Sequence, residues 1–89
     1  MSINDRWSVS LNITENQGRT HAEARLKLPG GDELAGRGDA RRSPADQEVA
    51  LIGEQIAAAR ALSDLTGRLL HAAAAGIEDI TYERAHLHL

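Results

Sequence analysis

The histidines and arginines of this sequence are the residues that could bind a metal ion or an anion. Cysteine is absent, so thiol catalysis and disulfide bonds are excluded. The four histidines are His21, His71, His86 and His88. On an extended tail the last two would point the same way, but two imidazoles do not complete a tetrahedral site, and no clear carboxylate adds the rest. We therefore predict no metal site and no cofactor.

Catalytic motifs are also missing. The sequence contains no nucleophile elbow and no glycine loop that would hold a phosphate. Gly36 and Gly38 stand two apart within a strand pattern, which is more typical of close packing against a helix. Glu78 and Asp79 are adjacent, so on a helix they face different ways. We predict a protein that is not an enzyme and has no catalytic residues.

Three segments alternate apolar and polar residues, which is the period of a half-buried strand. They span residues 6–14, 20–28 and 33–40. Turn residues separate them. The apolar pairs predicted for the first hairpin are Trp7–Leu28, Val9–Leu26, Leu11–Ala24 and Ile13–Ala22. Those predicted for the second are Leu28–Leu34, Leu26–Gly36, Ala24–Gly38 and Ala22–Ala40. This face grades from bulky to small, so we expect the alanines of the following helix over its small end and the leucines over its bulky end.

The same pairing brings basic residues together on the outward face of the sheet. The predicted outward pairs are Arg25–Arg37, Glu23–Asp39 and His21–Arg41. Diagonal acid–base pairs would offset these like charges. One interpretation is a solvated charged face. The sharper one is a site for an anion or an acidic partner segment, formed by Arg25, Arg37, Arg41 and His21.

A long apolar stripe without proline predicts a helix over residues 48–75. Its apolar residues step by three or four, the spacing of one helical face: Ile52, Ile56, Ala59, Leu62, Leu65, Leu69 and Ala73. Gly76 stands where a left-handed C-cap is expected, and Gly67 is the expected weak point. Residues 77–80 would add one turn, and residues 82–89 an extended tail or a short edge strand.

The predicted helix is longer than the sheet beneath it. It would span roughly 40 Å, whereas strands of nine residues span roughly 30 Å. The excess around Leu69, Leu70 and Ala73 must break, fold back or find a partner. We expect a homodimer, formed there or along the edge of the first strand.

Ser43, Pro44 and Asp46 have the types and spacing of a helix start: an N-cap, a proline at the first helical position and an acid in the first turn. They would open either a separate short turn, which we favour, or the long helix itself. Ser43 also fits a phosphorylation sequence, but the capping interpretation explains all three residues together.

The length of the chain limits the number of domains, and its net charge limits the class of ligand. The 89 residues are expected to form one domain, 1–89. The formal net charge of −3 argues against an open phosphate-binding surface. No apolar signal core or membrane-spanning stretch is present, so we predict a cytoplasmic protein that does not bind membranes.

Three strands followed by a long helix predict an α+β fold: an antiparallel meander in the order 1-2-3 packed on one C-terminal helix. The chain resembles an actinobacterial family of small dsRBD-like domains of unknown function. The resemblance rests on residues 7–9, 36–46, 59–65 and 86–88. It covers nearly the whole chain and implies the βββα core of a double-stranded-RNA-binding domain. It implies no functional residue.

Double-stranded RNA is not an expected ligand despite that fold. Its binders need a helix before the first strand and lysines at the start of the last helix, whereas this helix begins among Asp46, Glu48 and Glu54. The leading prediction is a small non-enzymatic interaction or regulatory module that self-associates, with an unidentified protein as a further possible partner. The alternative is a nucleic-acid or anion binder that uses the outward arginines.

Overall fold

The computed structural model of the chain describes residues 5–41 and 50–87. Its elements are β1 (Val9–Asn16), β2 (Arg19–Lys27), β3 (Glu33–Arg41) and α1 (Ala50–Leu87). The strands form one antiparallel sheet in the order β1-β2-β3, and α1 packs on one face of it. The predicted α+β meander on a long C-terminal helix is confirmed.

The first hairpin has the predicted register. Its inward pairs are Val9–Leu26, Leu11–Ala24 and Ile13–Ala22, whereas the predicted pair Trp7–Leu28 lies outside the ladder because β1 begins at Val9 and β2 ends at Lys27. Both strands extend closer to the turn than expected, because Gln17 and Gly18 alone connect Asn16 to Arg19. Both turn residues have positive φ, 51° and 76°, as a two-residue turn that matches strand twist requires.

The predicted register of the second hairpin is wrong by two residues. The observed inward pairs are Leu26–Leu34, Ala24–Gly36, Ala22–Gly38 and Thr20–Ala40. The reason is the tightness of the turn: the N–H of Leu28 donates to the carbonyl of Asp32 (2.7 Å), and the N–H of Gly31 donates back to the carbonyl of Leu28 (3.1 Å). Gly30 and Gly31 both have positive φ, near 100°, which glycine adopts readily.

The corrected register changes the outward face. The predicted like-charge pairs Arg25–Arg37, Glu23–Asp39 and His21–Arg41 do not form. The observed outward pairs are Lys27–Glu33, Arg25–Ala35, Glu23–Arg37, His21–Asp39 and Arg19–Arg41. Opposite charges directly across a ladder attract one another, and two of these five pairs, Lys27–Glu33 and Glu23–Arg37, are of this kind. His21 is hydrogen-bonded to Asp39 through Nδ1 (2.8 Å).

Two glycines of β3 determine how closely α1 approaches the sheet. A Cβ on Gly36 would clash with the backbone of Ala61 and Leu65, and one on Gly38 would clash with the backbone of Ala57 and Ala61. The predicted role of these glycines in close helix packing is confirmed, and so is the placement of the alanines over the small end. The buried core is Ala22, Ala24, Leu26, Ala40, Ala57, Ala61 and Leu65.

The predicted apolar stripe is mostly not the buried face of α1. Ile52, Ile56 and Leu62 are exposed, and the helix buries Ala57, Ala61 and Leu65. The close approach to the glycines leaves room only for alanine beneath the helix axis. The leucines of α1 that contact the core, Leu65 and Leu69, lie toward the bulkier end of the sheet. Leu28 and Leu34 also pack against the core at that end.

α1 continues through Gly67, where the sequence left open whether the helix breaks. The predicted cap at Gly76 is wrong, and residues 82–87 are helical rather than extended. The 38 residues span roughly 57 Å. A single exposed glycine costs a helix only about 1 kcal/mol relative to alanine, and the flanking alanines favour continuation. The predicted helix start at Ser43 and the tail residue His88 lie outside the described residues.

Candidate interaction surface

The inner face of β1 is an exposed apolar surface. Three side chains of β1 form it together with Trp7, which lies two residues before the strand. These four are hereafter the β1 strip: Trp7 (49% exposed), Val9 (46%), Leu11 (41%) and Ile13 (39%). The cause is the position of α1, which packs over β2 and β3 because Gly36 and Gly38 have no Cβ and so let the helix approach the sheet closely there. One third of the sheet is therefore left without a covering layer in the described part of the chain.

The outer edge of β3 is closed by side chains of α1. The backbone N–H of Arg37 donates to Oδ2 of Asp64 (2.9 Å), and Nη1 of Arg60 donates to the carbonyl oxygen of Asp39 (2.6 Å). Arg68 also donates to Asp64, at 3.2 Å. The Arg37 N–H and, secondly, the Arg68 guanidinium hold the pKa of Asp64 below its ordinary value. Backbone groups occupied in this way do not pair with another strand.

The outer edge of β1 differs from that of β3. β1 pairs with β2 alone, and no strand of the described chain continues the sheet on its other side. The two edges are therefore unequal: α1 protects one, while the other adjoins the β1 strip. An open edge beside an uncovered apolar face is typical of an interaction surface.

α1 extends beyond the sheet. We define the overhang as residues 70–87 of α1, which follow the last residue packed on the core, Leu69. Leu70 is 66% exposed and Ile77 65%, and Ala73 lies exposed between them at the spacing of one helical face. Of the predicted self-association residues, Leu70 and Ala73 are thus exposed, and Leu69 is half-buried at the edge of the core.

Glu23 organises the middle of the outward face. Its carboxylate accepts hydrogen bonds from Nε of Arg25 (2.5 Å) and Nε of Arg37 (3.2 Å). Arg25 also lies 3.5 Å from a carboxylate oxygen of Glu33. The hydrogen bond from Arg25, followed by that from Arg37, lowers the pKa of Glu23, and the same carboxylate raises the pKa of Arg25. Both guanidinium groups are therefore already ion-paired within the sheet.

The predicted anion site does not assemble as a group of four. Arg25 and Arg37 meet at Glu23, His21 lies 2.8 Å from Asp39 through Nδ1, and Arg41 pairs across the ladder with Arg19. Sequence reasoning does not find Arg19, because the predicted second strand begins at residue 20 and leaves Arg19 in the first turn. Gln17-Gly18 was the signal that could have placed it, because a two-residue turn at that point puts Arg19 in β2.

No three residues of the types His, Cys, Asp and Glu come together as a metal site within the described ranges. His71 is exposed on α1, and His86 lies within the helix rather than on an extended tail. None of the described helices is long and apolar enough to cross a membrane.

Fold and surface together define a class: a small α+β protein whose three-stranded sheet is partly covered by a helix much longer than the sheet. The chain belongs to the Rv2632c-like family, whose model matches residues 5–86. It is 44% identical over 81 residues to the uncharacterized protein Mb1767 of Mycobacterium bovis, which covers 91% of this chain and 85% of that protein. It is 43% identical over 75 residues to the uncharacterized protein Rv2632c of Mycobacterium tuberculosis, which covers 84% and 80%.

The crystal structure of Rv2632c has the same fold. It superposes with a TM-score of 0.83 at 40% sequence identity, over 90% of this chain and 94% of that one. The predicted membership in an actinobacterial family of unknown function is confirmed.

Proposed function

We propose that the chain is a non-enzymatic interaction module that works as a homodimer. In this dimer the overhang of each copy covers the β1 strip of the other. The observation that supports it is that one chain has both an apolar sheet face that no helix covers, the β1 strip, and a helical segment that packs on no sheet, the overhang. A second copy supplies what each feature lacks.

The dimensions of the two features agree. β1 has 8 residues and spans about 27 Å. The overhang has 18 residues by the bounds given above, and at 1.5 Å per residue it also spans about 27 Å. A twofold axis between two sheets placed end to end would set the two long helices antiparallel and side by side. Each helix would then lie over its own β2 and β3 and over the partner's β1, which closes the assembly at two copies.

The side chains of α1 suit this arrangement. Arg60 and Asp64 mark the flank of α1 that faces the edge of β3. Leu62 is two residues from each and so lies on the opposite flank, toward β1. Leu69 and Ala73 follow Leu62 at spacings of seven and four, which keeps them on that flank. They would meet the second helix, and two of them are residues predicted to self-associate.

Both features expose large apolar side chains. Those of the β1 strip are 39–49% exposed, and Leu70, Ile77 and Ile80 of the overhang are 56–66% exposed. Contiguous apolar surface of this kind is typical of a protein–protein interface. A dimer of the proposed kind would bury it.

Other partners would compete with the second copy for the same surface. An unidentified protein could dock an amphipathic helix on the β1 strip, in the manner of helix-in-groove recognition. Double-stranded RNA remains an unexpected ligand even for a dsRBD-like fold, since Glu23 occupies two of the outward arginines. A cytoplasmic location stays a prediction that agrees with the absence of cysteine.

Cross-linking tests the arrangement, because a chain without cysteine accepts unique thiols. In the variant with Leu11→Cys and Ile80→Cys, a short thiol cross-linker is expected to join two chains. Ile80 lies beyond the sheet, so the two positions of one copy do not meet. The control replaces Asn12, which faces the opposite side of β1, together with Ile80. Equal yields of dimer from the variant and its control, or no dimer from either, would overturn the proposed arrangement.

A further inference from the structure

Along the outward face, one pair across the ladder has the wrong charges for attraction. Lys27 lies opposite Glu33, Arg37 opposite Glu23 and His21 opposite Asp39, but the last pair is Arg19 with Arg41. Like charges directly opposite each other destabilise a sheet. A negatively charged group bound between two such side chains would offset their repulsion and stabilise the sheet.

Arg19 and Arg41 have no compensating partner among the described residues. The ion pairs of this face engage Arg25 and Arg37, and His21 is hydrogen-bonded to Asp39. Neither Arg19 nor Arg41 has a hydrogen bond or an ion pair within residues 5–41 and 50–87. The nearest acid on the ladder, Asp39, is held by His21 at 2.8 Å. Two exposed guanidinium groups are thus left side by side.

The pair lies beside an open depression of about 740 Å³ next to the first turn. Its lining side chains are those of Thr14, Asn16, Gln17, Arg19, His21 and Arg41, with the backbone of Gly18. None of these is a carboxylate, and the hydroxyl and amides add hydrogen-bond donors to the two guanidinium groups. The lining is therefore complementary to an anion with several oxygen atoms.

We propose that Arg19 and Arg41 bind a phosphate-type oxyanion at this end of the sheet. Guanidinium groups bind phosphate through two parallel N–H···O bonds each, and two of them across one ladder can share a single phosphate group. The site lies at one end of the sheet, and the overhang extends from the opposite end, beyond Leu34. The site therefore neither requires nor blocks the proposed dimer. The ligand is either free phosphate or the phosphate group of a larger small molecule.

Nuclear magnetic resonance of the arginine Nε–H groups tests the site. Inorganic phosphate and pyrophosphate are titrated into the full chain at constant ionic strength, with chloride as the reference. Shifts confined to Arg19 and Arg41 are expected, and Arg19→Gln or Arg41→Gln should each weaken binding about tenfold, the usual worth of a charge-assisted hydrogen bond. The control Lys27→Gln removes the same charge from the same face and should change the affinity by less than about twofold.

Four results separate the alternatives. A response to pyrophosphate that greatly exceeds the response to phosphate supports the site and points to a phosphorylated small molecule as its source. Shifts equal to those with chloride would overturn the site, as would equal losses in all three variants. Binding of duplex RNA by a chain that does not respond to either small anion would also overturn it, because the arginines would then serve a different class of ligand.

Discussion

The backbone N–H of Arg37 donates to the carboxylate of Asp64, 2.9 Å away, and this bond joins the outer edge of β3 to α1. It occupies a donor that another strand would need, and Arg60 occupies the nearby carbonyl of Asp39 in the same way. α1 is thereby fixed over β2 and β3. Together with the close packing of α1 on Gly36 and Gly38, this bond keeps the helix on the β3 side of the sheet, so that one edge is closed and the β1 strip is left uncovered.

The first prediction concerns the charge of Asp64. Its pKa is lowered in the folded chain, chiefly by the Arg37 N–H and then by Arg68. A lowered pKa means that the charge contributes stability above the unfolded value and that this contribution is lost as the pH falls through the folded value. Asp64→Asn keeps an oxygen for the N–H but removes the charge. We expect the variant to be less stable than the parent near pH 7, with the difference vanishing well below pH ~4.

Urea unfolding of both chains across this pH range provides the measurement. Glu78→Gln is the matched control, because Glu78 is exposed on the overhang and the substitution removes the same charge. A stability difference for Asp64→Asn that stays constant with pH would contradict the assigned role.

The second prediction concerns the glycines beneath the helix. Gly38→Ala places a Cβ against the backbone of Ala57 and Ala61, which cannot yield as a flexible side chain would. We expect the free energy of unfolding to fall by about 1–3 kcal/mol, the usual cost of overpacking. Thermal or urea unfolding measures it.

Gly67→Ala is the matched control for that substitution. Gly67 lies within α1, and a Cβ there meets nothing within 4 Å. Alanine should therefore raise the stability by about 0.5–1 kcal/mol through helix propensity alone. If Gly38→Ala were as stable as the parent chain, the close approach of α1 to β3 would be wrong.

The third prediction concerns the β1 strip. Leu11→Lys places a charge where the second copy is proposed to pack, so the dissociation constant of the dimer should rise by about tenfold or more. The monomer should stay folded, because Leu11 is already 41% exposed and a lysine can extend its ammonium group into water. Sedimentation velocity over a concentration series gives the dissociation constant.

Asn12→Lys is the control on the same strand. Asn12 adjoins Leu11 in sequence but faces the opposite side of the sheet, opposite Glu23. It should leave the dissociation constant nearly unchanged. Equal effects of the two lysines would show that net charge, and not the β1 strip, governs association.

The strand pattern predicted the fold and one of the two registers. Alternation excludes a shift of one residue, because such a shift would reverse the faces. It does not exclude a shift of two, which keeps Leu26 and Ala24 facing inward beside different partners. Only the turn distinguishes those registers. The consecutive positive φ angles of Gly30 and Gly31 allow a tighter turn than the predicted register requires. The anion site that we propose therefore uses Arg19 and Arg41 instead of Arg25 and Arg37.

The face and the length of α1 were harder to predict for a different reason. Hydrophobicity favoured Ile52, Ile56 and Leu62 as the buried face, whereas the glycines of β3 required alanine there. Gly76 fits a cap by residue type alone, but a cap also needs a chain that turns away. Here the helix continues, and the resulting overhang is the feature that most favours a partner.

The mass of the intact chain in solution tests the central claim most directly. Light scattering coupled to size-exclusion chromatography at tens of micromolar, in moderate salt, is predicted to give twice the monomer mass. Leu11→Lys should shift the same profile toward the monomer, while Asn12→Lys should not. A parent chain that elutes with the monomer mass throughout this concentration range would contradict the proposed homodimer.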